Sequence, residues 1–141
     1  MSKSAAIVRR ETGVSATATP TPAIASNWRD AAFARLLQLG NLQTGWDGHY
    51  GKPLDEGIST MAAALLERFE SWRAPMPAIM PLSDGGVQIE WHRKGWDIEI
   101  EMVSKGEINV FAHDILNGVE DNFSLSDDVD RVKSILKKIS S

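Results

Sequence analysis

The chain has 141 residues, 43% hydrophobic and 24% charged, which fits one ordinary domain plus a tail. It contains no cysteine, so disulfide scaffolds, thiolate metal sites and cysteine nucleophiles are excluded. The net charge of −4 is unevenly spread: the segment before Ser26 is +2 (Lys3, Arg9 and Arg10 against Glu11), the segment from Asp127 is +1 (four bases against three acids), and −7 remains between them.

That acidic middle repels phosphate backbones, and nucleic-acid binding by the folded part is not expected. No apolar run approaches the roughly 18 residues of a membrane span. The first residues lack the continuous apolar stretch of a secretory signal, so the cytoplasm is the expected compartment. Residues 1–25, with the low-complexity run ATATPTPA, are expected to form a disordered arm, and 26–141 a single domain.

Ser26 is the expected cap of a first helix, in which Trp28, Ala32, Phe33, Leu36, Leu37 and Leu39 form one apolar stripe and Gly40 the stop. The segment GWDGHYG, Gly45 to Gly51, reads as a corner. Asp55 then caps a second helix whose face is Ile58, Met61, Ala62, Leu65, Phe69 and Trp72, and Pro75 and Pro77 forbid its continuation.

Beyond Pro77 the period changes from 3.6 to two. A short run, Ala78–Leu82, is marked as an edge strand by Pro81 and followed by the turn Ser83–Gly86. Val87, Ile89 and Trp91, then Trp96, Ile98, Ile100 and Met102, then Ile108, Val110 and Ala112 each alternate with polar neighbours, Phe111 excepted. The links Arg93-Lys94-Gly95 and Ser104-Lys105-Gly106 carry the glycine that hairpins demand. Residues 114–124 read as a loop with one more short strand near Val119–Leu125. A last helix, capped by Ser126, presents Val129, Val132, Ile135, Leu136 and Ile139.

The expected fold is therefore α+β: two layers, an antiparallel β-meander of about four strands packed against about three helices. The sheet's other face reads Gln88, Glu90, His92, Asp97, Glu99, Glu101, Glu107 and Asn109, polar and wet.

Two places could carry chemistry. In the corner, Asp47 and His49 sit two residues apart, as an acid–base pair or half a metal site would. The structural reading is preferred: glycines 45, 48 and 51 permit positive φ, Asp47 makes an Asx turn, and Trp46 drops between the helices, where losing its ring would cost about 3–5 kcal/mol. On the sheet, Glu90, Glu99 and Glu101 with His92 could form a carboxylate pair for glycoside hydrolysis, but such a face serves better as a docking surface for a basic partner. SDGG lacks the following helix of a phosphate loop, and no nucleophile elbow is present. No cofactor and no metal is implied.

In combination, GWDGHYGKP, an alanine-rich helix and PxxxPxSDGGVQIEWHRKGWDIEIEM resemble a group of small bacterial proteins without an assigned function. The resemblance spans roughly Leu36 to Val103 and implies no reaction or catalytic residue. His49-Tyr50 makes this chain's corner one residue longer than that pattern.

The expected function is a non-enzymatic protein–protein interaction module, antitoxin-like or an inhibitor or accessory protein in bacterial or phage conflict by analogy of build. Its partner-binding residues would be Trp46, Asp47, His49, Tyr50, Glu90, His92, Glu99 and Glu101, and its partner another protein with a basic surface. The alternative is a small hydrolase or metal-dependent enzyme using Asp47, His49, Glu90 and His92. A third reading buries the aromatic corner against a second copy, as a homodimer.

Overall fold

The change of period at Pro77 divides the chain into helices before it and strands after it, and the computed structural model, which describes residues 27–103 and 106–140, follows that division. Helices α1 (Arg29–Leu39) and α2 (Glu56–Ser71) precede strands β1 (Ala78–Pro81), β2 (Val87–Arg93), β3 (Trp96–Met102), β4 (Ile108–Asp114) and β5 (Val119–Ser124). A 3₁₀ turn, Leu125–Asp127, leads into α3 (Val129–Lys138). The strands form one antiparallel sheet in the order β1-β2-β3-β4-β5. The fold is α+β, a single sheet with helices packed beside it. Residues 1–25 and Ser26 lie outside the described residues, so the arm and the first expected cap do too.

Alternation decides which side of the sheet is dry. Ile79, Val87, Ile89, Trp91, Ile98, Ile100, Met102, Val110 and Ala112 are all buried, and they meet Ala32 and Leu36 of α1, Leu66 and Phe69 of α2, and Val132 and Leu136 of α3. Phe69 is central, edge-on to Trp91 at 5.5 Å and tilted against Trp72 at 5.7 Å. Among the described residues no polar or charged side chain is fully buried.

The two buried indoles nevertheless need acceptors. Trp28 Nε1 donates to Ala74 O at 2.8 Å and Trp91 Nε1 to Pro75 O at 2.7 Å, so both pin the link between α2 and β1. Arg35 of α1 donates to Ile79 O at 2.9 Å and guards the exposed edge at β1. The cations of α3 cover aromatic rings at the rim: Arg131 over Phe123, Lys133 over Trp72 and Lys138 over Trp96. No helix among the described residues is long and apolar enough to cross a membrane.

Several local expectations need correction. Leu37 is 75% exposed rather than part of the α1 stripe, because burying Leu36 and Leu39 turns it outward. Gly40 does stop α1, as expected, but in the right-handed region, φ −65°, so its N–H simply completes a bond to Leu36 O. The cap of α3 is Asp128, which accepts from Arg131 N at 3.0 Å, while Ser126 is taken up by the 3₁₀ turn. Asp55 does cap α2, accepting from Ile58 N at 3.0 Å.

The link between β2 and β3 is also shorter than its sequence suggests. Arg93 belongs to β2, and Lys94-Gly95 alone make the turn, with φ of 55° and 79°. Positive φ at both residues is the type I′ geometry that suits the twist of a hairpin. The one-residue difference sets the register of everything on the polar face.

Candidate functional site

The corner is a knot of backbone. Gly45 and Gly48 take φ of 82° and 84°. Asp47 Oδ1 accepts from His49 N at 3.0 Å and Gly51 N at 2.9 Å, the expected Asx turn extended by one bond. Those two backbone donors hold the Asp47 carboxyl below its usual range. Gly51 is needed for space and not for positive φ: a Cβ there would lie 2.7 Å from Asp47 Oδ1 and 2.8 Å from Trp46 Nε1. Trp46 does not enter the gap between the helices. It is half-buried over its own loop and donates to Lys52 O at 2.8 Å. His49 and Tyr50 are exposed, Tyr50 almost completely.

The exit of the corner meets a second turn. Lys52 N donates to Ser83 O at 2.9 Å and Asp55 N to Gly85 O at 3.0 Å, which stitches Lys52–Asp55 to the β1–β2 turn. Gly85, at φ 93°, leaves only 3.0 Å between a would-be Cβ and Pro53 O, and a Cβ on Gly86 would collide with the Met102 carbonyl. GWDGHYGKP and SDGG are therefore two halves of one joint. Gly85 and Gly86 serve close approach of backbone to backbone, Gly51 leaves room for the Asp47 and Trp46 side chains, and Gly45 and Gly48 supply the positive φ of the corner.

The polar face lies elsewhere. His92 is five residues beyond Val87, the first residue of β2 after that joint, or about 16 Å along an extended strand. Asp47 and His49 are thus not brought together with Glu90 and His92. Antiparallel register does gather the sheet residues: Glu90 faces Glu99, His92 faces Asp97, and Gln88 faces Glu101. β4 adds Asn109, Phe111 and His113, and β5 adds Glu120 and Asn122. The paired positions of this face hold no lysine or arginine. Glu107 falls just outside β4, exposed in the preceding turn.

His92 lies between two carboxylates, Nδ1 2.6 Å from Asp97 Oδ1 and Nε2 2.5 Å from Glu90 Oε1. Asp97 first and Glu90 second raise the imidazole's pKa. Glu90 also accepts from Gln88 Nε2 at 2.7 Å. Glu99 is held above the usual carboxylate range, first by partial burial and then by the charges of Glu90 and Glu101. Beside it a shallow hollow of about 260 Å³ is lined by Glu99, Glu101, Asn109, Phe111 and Asn122. Among the described residues no group of three or more His, Asp or Glu side chains is arranged to hold a metal ion.

Sequence reasoning named Glu90, His92, Glu99 and Glu101 but passed over Phe111, His113 and Asn122. Phe111 carried a signal, since it is the one aromatic residue at a polar-face position of the alternation. Asn122 carried none, because VEDNFS has too little alternation to assign its faces. Comparison with protein-family models, curated proteins and solved structures found no match to this chain.

Proposed function

We propose that this protein is a non-enzymatic interaction module that holds a basic protein surface on the open face of its sheet. The observation that carries the reading is the face itself: Glu90, Asp97, Glu99, Glu101 and Glu120 share it with Phe111, and none of the described helices lies over them. Carboxylates of one sign steer a cationic partner and fix its register, while a half-buried ring supplies the apolar anchor. Glu99 favours this role, because a carboxylate with a raised pKa gains when a cation arrives. The class of partner this suits is a basic effector or nucleic-acid-handling protein held in check by an acidic one, as antitoxin-like proteins and inhibitors in bacterial or phage conflict hold theirs. The proposed compartment is the cytoplasm.

The test is affinity capture with the full chain beside an E99K/E101K variant of matched thermal stability. A protein retained by the first and lost by the second supports the reading, and retention should weaken with salt. Equal retention by both would remove the face from the account. The enzymatic alternative would need groups at the two ends of β2 to act on one substrate. Unchanged activity in H49A and E90Q, in whatever assay reports the protein's cellular effect, would end it.

Self-association is a second reading with its own observation. A depression of about 500 Å³ between α1 and α2 is lined by Phe33, Leu36, Leu37 and Ala63, and Leu37 stands largely exposed at it. Light scattering of the wild type and L37D decides: a dimer lost in L37D supports it, and a monomeric wild type refutes it. The dimer contact would then be this groove and not the aromatic corner.

A further inference from the structure

We propose that His92 sets the charge of the docking face: as an imidazolium it clamps Glu90 and Asp97, and on losing its proton it frees one of these carboxylates for a basic partner. The inference rests on the reading of this face as a docking surface and adds its regulation. The geometry carries it. Each ring nitrogen lies within hydrogen-bond distance of a carboxylate oxygen, 2.6 Å on one side and 2.5 Å on the other. A carboxylate only accepts, and a neutral imidazole has one N–H. Both contacts are satisfied together only when both nitrogens carry protons. In the neutral ring one lone pair would face an anion at the same distance, so that contact must open.

The surroundings leave the pair of carboxylates in control. β2 presents Glu90, β3 presents Asp97 and Glu99, and β1 presents only Ala78 opposite Glu90. β4 presents His113 opposite Asp97, and His113 in turn lies 3.9 Å from Glu120 of β5. Arg93 belongs to the other face of the sheet, and Lys94 is exposed in the turn. The ring is half-exposed, so protons exchange freely and a partner can reach it.

The sign follows from the two carboxylates, Asp97 before Glu90, which raise the pKa on folding. Stability contributed by the clamp is fully present below about 6.5, the unfolded value, and is lost as pH rises through the higher folded one. Docking runs the opposite way. Deprotonation makes the face more negative by one charge and releases one carboxylate acceptor, so a cationic partner binds more tightly at higher pH.

The experiment uses the full chain in an H113Q background, which leaves His92 the one histidine of the face. Ring resonances give its titration midpoint, expected above about 6.5 and lowered in E90Q and in D97N. A nona-arginine peptide is then titrated at about pH 6 and about pH 9, where arginine stays charged. One added charge several ångströms away, at intermediate dielectric, should tighten binding by roughly 3- to 10-fold. H92Q should bind equally at both. A midpoint at or below the free value overturns the clamp. A raised midpoint with pH-independent peptide binding overturns the coupling to docking. A raised midpoint with no peptide binding at either pH overturns the docking reading itself, and the switch with it.

Discussion

Arg73 stands in a conformation that L-residues avoid, and replacing it with glycine should make the protein more stable. Helix α2 ends in two bonds of Schellman type: Ala74 N donates to Phe69 O at 3.1 Å and Arg73 N to Glu70 O at 2.9 Å. The motif requires a left-handed residue between them, and Arg73 supplies it with φ 64°. The apolar contact that accompanies the motif is present as well, since Ala74 and Phe69 are both buried in the core. A left-handed L-residue costs about 1–2 kcal/mol. Glycine relieves that cost but gives back about 0.5–1 kcal/mol through the greater freedom of its unfolded chain. The net expectation for R73G is a gain of about 0.5–1 kcal/mol.

Removing the charge also forfeits its attraction to the helix C-terminus, so R73A is the matched control: it loses the guanidinium and keeps the strain. Urea unfolding followed by circular dichroism measures both. With a slope of about 1–3 kcal/mol/M, R73G should have a midpoint higher than R73A by roughly 0.2–1 M at unchanged slope. If R73G proves no more stable than R73A, the left-handed geometry at the end of α2 is not what strains the chain, and the reasoning fails.

Lys94, at φ 55° in a type I′ turn, should yield about 0.5–1 kcal/mol when replaced by asparagine, seen as a higher urea midpoint. G86A should abolish the cooperative unfolding transition or lower its midpoint severely, because the new Cβ meets the Met102 carbonyl, a backbone atom held in the β2–β3 ladder. Because folding raises the pKa of Glu99, its penalty is absent in acid and appears as pH rises through the folded value. E99Q should therefore raise the melting temperature at neutral pH and do so less near pH 4, while weakening nona-arginine binding. Asp47 has the opposite sign: its lowered pKa contributes stability above about 3.8 that is lost as pH falls through the folded value. The acid limb of a stability profile should accordingly flatten in D47N.

Much of the architecture is written in local patterns. The 3.6 period of α2, the Asp55 cap, the alternation along β2, β3 and β4, and the proline at the sheet's edge each involve residues near one another in the chain, so they are legible without a partner element. Of the site, the acidic face followed from the same alternation, and Asp47 as an Asx turn from the turn chemistry of its glycine-flanked corner. Trp46 misled for a physical reason: an indole next to two helices gains from burial between them, but its N–H found Lys52 O within its own loop.

The tertiary structure alone decided what depends on register and on meetings across the chain. That Lys94 accepts a positive φ shortens the β2–β3 turn to two residues, and only then does His92 face Asp97 and not Trp96. The union of the glycine corner with the SDGG turn joins segments about thirty residues apart through backbone atoms, which have no side-chain signature to read. The faces of β5 were settled by Arg131 of α3 reaching Asp121 at 2.6 Å and covering Phe123, and not by any alternation in VEDNFS. Side-chain periodicity reports which face of an element is dry; pairing, clamping and joining are set by what the neighbouring element happens to present.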